Sequence, residues 1–210
     1  MVFRRRVPKG YVGRNHETIG SDVLSVLDAL QALATNDKGR RSGLLEKVLK
    51  PGQWEQLQSV HPERWYPIAT LLDLMDAVEQ RTGRYALVRM GRLLFRRSHE
   101  QRVLRTATCG HDIVHAIDQM YHYANRGEQI GGWRVVAFDE WIANLEKTTP
   151  HHCAMEEGIL AQGLAAVGAR AVVSQEVCVC EGADSCLFVI RSAGGRWLRQ
   201  GKGSRGKLRT

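Results

Sequence analysis

Five cysteines, at positions 109, 153, 178, 180 and 186, are the residues best placed to do chemistry in this chain, and four of them lie beyond residue 150. The run from Glu176 to Phe188 (EVCVCEGADSCLF) reads as two strands joined by a turn at Gly182. Side chains alternate along a strand, so Glu176, Cys178 and Cys180 are expected on one face, with Cys186 folded back beside them. Cys153 precedes a helical stretch expected to pack on the same sheet. Thiolates converging in this way suit zinc, which favours tetrahedral sulfur and nitrogen ligands. His151 and His152 stand next to Cys153 as spare imidazoles. Free cysteines also serve as small buried hydrophobes, and the spacing alone leaves both readings open.

A second set is His111, His115 and His122, at i, i+4 and i+11 on one helix. At ~100° per residue they fall within about 40° of one another, away from an apolar face of Ile113, Val114, Ile117, Met120 and Tyr121. They read as a solvated polar face; the other readings are a metal site or a single haem ligand. Trp133, Tyr121 and His111 are the candidates for lining a ligand pocket beneath this helix. Core packing is the competing account of the two aromatics. Cys109 and His111 are two apart on that helix and face different ways, so they make a poor thiol–imidazole pair. No P-loop, G-x-S-x-G, H-E-x-x-H or dinucleotide fingerprint is present, so catalysis of those kinds is not expected.

The elements that must position these groups divide into two halves. Helices are predicted over 21–34, over 43–58 with an interruption at Pro51-Gly52, from Pro67 to Gly83, over 85–97 and over 99–125. The stretch 35–42 reads as a polar loop. After Gly131-Gly132 the pattern changes to strands at 133–138 and 141–146, a helix over 154–166, and strands over 171–180 and 185–192. The expected fold is α+β: a helical N-terminal half packed on a C-terminal antiparallel sheet, ββαββ in order.

Residues 150–190 resemble the V4R (4-vinyl-reductase-like) family, whose C-terminal signature is a cysteine, a Gly-rich helix, and a hairpin carrying C-x3-G-x3-C-x-F. Here Cys153, Gly158, Gly163, Cys178, Gly182, Cys186 and Phe188 stand in those positions. The resemblance implies a fold related to haem-NO-binding and TRAPP-subunit domains. It also implies a pocket for a hydrophobic or tetrapyrrole-like small molecule and a structural zinc bound by the cysteines. The family's acidic fourth ligand falls on Gln175, a departure for which Cys180 or Glu176 would have to compensate. The expected metal set is therefore Cys153, Cys178, Cys180 and Cys186, with Glu176 as the substitute fourth ligand. The function implied is a non-catalytic sensor acting through protein contacts, as a homodimer or with a partner protein. The alternatives are an enzyme or assembly factor of tetrapyrrole metabolism, or a haem-binding sensor, although no Tyr-x-Ser-x-Arg haem-propionate motif occurs.

Charge and composition set the outer bounds. The chain has 210 residues, a net charge of +8 and 43% hydrophobic residues, enough for one domain with a real core. The excess base sits at the ends, in Arg4, Arg5, Arg6, Lys9 and Arg14, and in Arg196, Arg199, Lys202, Arg205, Lys207 and Arg209. Accordingly 1–18 and 192–210 are expected as basic flexible tails around a single domain at 19–191, helical over 19–127 and sheet over 131–191. Such tails predict at most weak, non-specific contact with nucleic acid or anionic membranes. The start carries no apolar segment of a secretion signal, so a cytoplasmic setting with reduced thiols is expected.

Overall fold

A computed structural model describes residues 15–35 and 43–199. The helical half runs α1 (Gly20–Ala34), α2 (Leu44–Val48), α3 (Gln53–Gln58), α4 (Ile68–Thr82), α5 (Arg84–Leu94), a π-helical turn (Phe95–His99), α6 (Glu100–Val103) and α7 (Gly110–Ala124). Most of α1's buried residues, Val23, Val26, Leu27, Leu30 and Ala34, recur at the helical period and face the core. Helix α4 does the same with Ile68, Leu71, Leu72, Met75 and Val78, and ends at Gly83, whose φ of +80° suits glycine.

Three short strands missed in the sequence tie this half together: β1 (Glu17–Ile19) between β2 (Trp65–Pro67) and β3 (Asn125–Arg126). At two or three residues each, they are too short to show a period. The C-terminal half is the expected ββαββ unit: β4 (Trp133–Phe138), β5 (Ile142–Lys147), α8 (Cys153–Ala166), β6 (Ala169–Val177) and β7 (Cys186–Gly195). The sheet order is β4-β5-β7-β6, antiparallel throughout. Helices α5 and α8 cross backbone to backbone at Gly91 and Gly158; a Cβ on either would overlap a carbonyl of the other helix, at Met155 and Val88 respectively.

Three expectations are corrected. The unbroken helix over 99–125 is two helices separated at 104–109, because the Asp112 carboxylate draws in the Thr108 backbone N–H (2.8 Å) and hydroxyl (3.0 Å) and so caps a new helix start. The tail does not begin at 192: β7 runs to Gly195, Trp197 is only 3% exposed and stacks on Phe138, and Arg199 reaches Asp112 at 2.6 Å. Nor does the fold begin at 19, since Glu17 and Thr18 are already in β1 and His16 is buried. Apart from Thr35, the loop expected over 35–42 lies outside the described residues, as do 1–14 and 200–210.

Candidate metal centre and cleft

Strand pairing places the first groups. Along β5 the buried residues alternate as Ala143, Leu145 and Lys147, so Lys147 points inward and is 1% exposed. In the ladder it stands opposite Cys186, the first residue of β7. A buried ammonium needs partners. Its Nζ donates to the carbonyl oxygens of Thr149 (3.0 Å) and His151 (2.7 Å) and lies 3.7 Å from Cys153 Sγ. Cys153 is the first residue of α8, where the helix dipole favours negative charge.

The hairpin supplies the rest. Beyond β6 the chain leaves the strand at Cys178, forms a 3-10 turn over Val179–Glu181, and reverses at Gly182 with φ +103°. That turn brings Cys178 to the other two thiols: the sulfurs of Cys153, Cys178 and Cys186 all lie within 4.8 Å of one another. Two backbone amides point at them, Val179 N–H to Cys186 Sγ and Cys180 N–H to Cys178 Sγ, both at 3.4 Å. Amide donors and a neighbouring ammonium stabilise thiolate over thiol. Cys153 donates its thiol hydrogen to Cys186 at 3.4 Å. That bond pulls Cys186 down to about 6 and, with burial, pushes Cys153 up.

Two predicted ligands stand elsewhere. Glu176 is turned away, bonded to Ser174 Oγ (2.7 Å) and Arg191 (3.1 Å), because it lies within β6 on the face opposite the cluster. Cys180 does not share a strand face with Cys178, since the turn replaces the expected strand there. It sits at the rim, largely exposed, beside Cys178 and outside the group of three; the partial burial of its sulfur and the neighbouring Cys178 raise its thiol to about 11. Gln175, in the position of the family's acid, accepts from Arg84 at 3.4 Å.

Cys153 and Cys178, but not the fully buried Cys186, border a cleft of about 670 Å³ that Asp76, Arg84, Lys147, His152 and Cys180 also line. Both ring nitrogens of His152 are engaged, with Asp76 at 2.5 Å and Glu79 at 3.0 Å. Lys147 is absent from the expected site residues, although its place in the alternation after Ala143 and Leu145 marks it as inward. The partners of His152 come from α4 and were not legible at all.

Trp133, Tyr121 and His111 are not gathered around one cavity. Trp133 packs on Phe188, Tyr121 donates to the Ile130 carbonyl at 2.8 Å, and His111 lies against His115 and Phe138 on the outer side of α7. Of the three, Tyr121 lines a hole of about 20 Å³ between α1, α7 and α8 that is ringed by Asp22, His99, Asn125, His151 and Glu156. Two buried polar atoms on that ring, His151 Nε2 and Asn125 Oδ1, have no partner, and the hole has room for about one water between them. Among the described residues the interior holds a water-sized hole lined by apolar side chains such as Leu71, Leu94 and Ile117 as well as the polar ones, and a charged cleft lies outside; large side chains such as Phe95, Met75, Met90 and Met155 pack the interior around the hole.

No family model and no curated protein matches the chain. Solved structures do match. An H-NOX protein from S. oneidensis in the Fe(II)NO state is 17% identical, with a TM-score of 0.63, over 84% of this chain and 99% of that one. The Fe(II) unliganded H-NOX protein from K. algicida is 12% identical, with a TM-score of 0.63, over 86% and 100%. At such identities the likeness shows the fold: this chain has the α+β fold of H-NOX proteins, the relation that the V4R resemblance implied. Membership of the V4R family itself finds no match.

Proposed function

We propose that the protein is a non-catalytic, ligand-responsive sensor domain whose Cys153, Cys178 and Cys186 hold a zinc ion. The observation that carries this is the approach of three sulfurs to within 4.8 Å of one another, with two amide donors and a buried ammonium beside them. Ordinary buried cysteines need none of these partners. Zinc bound there would pin the start of α8 to the hairpin, and metal-binding free energy of this kind is also folding free energy. The ligand is a small molecule entering the 670 Å³ cleft, and its charged lining favours a polar guest. Response would pass to a second copy or a partner protein by surface contact.

The fold supports a second reading, a haem-binding sensor, since the H-NOX structures it matches were solved in Fe(II) and Fe(II)NO forms. The residues here do not fit a haem. The hole under α7 measures about 20 Å³, whereas small-molecule pockets run to ~300–1,000 Å³. His115 is exposed and His122 faces Asp118 at 3.4 Å, both away from the core. Buried His99 and His151 each already engage a neighbour, Arg102 at 3.0 Å and Glu156 at 3.2 Å. The third reading, an enzyme or assembly factor handling tetrapyrroles, has no separate observation behind it. Metal analysis and an absorbance spectrum of the purified protein separate the readings. One zinc per chain without a Soret band is expected; a Soret band would place the haem reading first.

A further inference from the structure

We infer that the metal centre keeps one coordination position open toward the cleft, and that a small molecule bearing a single thiol or imidazole-type donor fills it. This rests on the zinc reading above and extends it. A purely structural zinc site is closed by four protein ligands, whereas a site with three leaves a position for an outside molecule.

Several groups that border the cleft are engaged otherwise. Gln175 carries a neutral amide bonded to Arg84, and Glu176 is held on the other side of the sheet by Arg191. His152 has both nitrogens on Asp76 and Glu79; His151 engages Glu156 through Nδ1 alone and lines the interior hole as well as the cleft, with Nε2 unpartnered. Lys147 is an ammonium whose hydrogens go to two carbonyls and to Cys153. Cys180 leans on Cys178 from the exposed rim. Among the described residues only Cys153, Cys178 and Cys186 bring their ligand atoms together. The remaining side of the cluster is the cleft, which the sulfurs of Cys153 and Cys178 border directly.

Charge narrows the class of guest. A divalent ion, three thiolates and the Lys147 ammonium sum to zero, so the centre has no excess positive charge with which to draw in a strongly anionic chelator. A neutral imidazole-type nitrogen binds without changing that balance. A thiol binds as thiolate and releases its proton to solvent, leaving one negative charge near the Arg84 guanidinium, which lines the cleft while paired with Glu157. Both donors are soft or borderline, matching a sulfur-rich centre.

Cobalt(II) in place of zinc makes the coordination visible. The full-length protein and Cys180→Ser are loaded with Co²⁺ and titrated separately with imidazole and with 2-mercaptoethanol. The expected result is a sulfur-to-cobalt charge-transfer band of equal strength in both proteins, and visible d–d bands that shift saturably with each probe. In the loaded native protein Cys180 should also be alkylated by iodoacetamide at least ten times faster than the other three clustered thiols. A d–d spectrum that neither probe moves would overturn the open position, as would a Cys180 protected by the metal or a weakened band in Cys180→Ser. Absence of any charge-transfer band in folded native protein would instead remove the zinc reading, and this inference with it.

Discussion

At the scale of single residues, the thiolate cluster and the buried polar ring make separable demands. Cys178→Ser and Cys186→Ser each remove a proposed metal ligand, and each is expected to cost about 2–3 kcal/mol, a fall in Tm of roughly 5–10 °C for a chain of this size. Cys109→Ser should cost much less. Cys109 is buried at the N-cap position of α7, where its thiol donates to Asp112 at 3.4 Å; serine suits that position and can make the same bond. Thermal melts of the three variants decide the matter, and equal small losses would argue against a metal. His99 makes a different demand. Burial lowers its pKa below the ordinary 6.5, opposed by Asp22 and Glu156 and reinforced by Arg102 and His151. As pH falls through about 6.5 the unfolded chain therefore takes up a proton that the folded chain resists, and stability is lost. Urea titrations at pH 7.5 and pH 5.5 should show this loss in the native protein and a smaller one in His99→Gln; an unchanged difference would show that His99 is not its source.

At the scale of elements, two contacts fix how the helical half meets the sheet. Helices α5 and α8 touch through Gly91 and Gly158, so Gly91→Val should cost about 1–3 kcal/mol or more by forcing them apart, read as a lower urea midpoint. Trp197 closes the other side, its ring over Phe138 and Gly110 and its Nε1 donating to Asp139 O at 3.0 Å. Trp197→Ala is expected to cost about 3–5 kcal/mol, so a chain cut at 192 should be far less stable than one cut at 200. Sequence patterning read the larger elements well: α1, α4, β4 and α8 appear within a residue or so of expectation, because each buries one clean face or is bounded by glycine. The patterning failed where tertiary contact decides. Nothing local distinguishes Trp197 from a tail residue until Phe138 lies beneath it. The turn at 179–181 looks like continued strand until Cys186 and its ladder partner Lys147 fix the hairpin. Three of the four expected thiols meet, and they do so through that turn rather than through strand alternation.

At the scale of the whole molecule, charge and fold pull in different directions. No described helix is long and apolar enough to cross a membrane. The net charge of +8 comes from the two ends, while the stretch between them is slightly acidic. Within the described residues part of the C-terminal base is already engaged, since Arg199 pairs with the buried Asp112, whose carboxyl is held well below its usual range by Thr108 and Arg199 despite burial. Fewer cations are then available to phosphate than the sequence count suggests, and the acidic middle opposes close approach. Each phosphate neutralised on duplex DNA releases a counterion and steepens the salt dependence by about one unit of log–log slope. A protein with this distribution should bind random duplex weakly, with a slope of several units, and should lose nearly all binding by physiological salt. Fluorescence titration at about 50 and 200 mM salt measures the slope directly. Binding that persists at the higher salt, or that prefers one sequence, would mean that the ends form a specific nucleic-acid surface, and the sensor reading would give way to a regulator of nucleic acid.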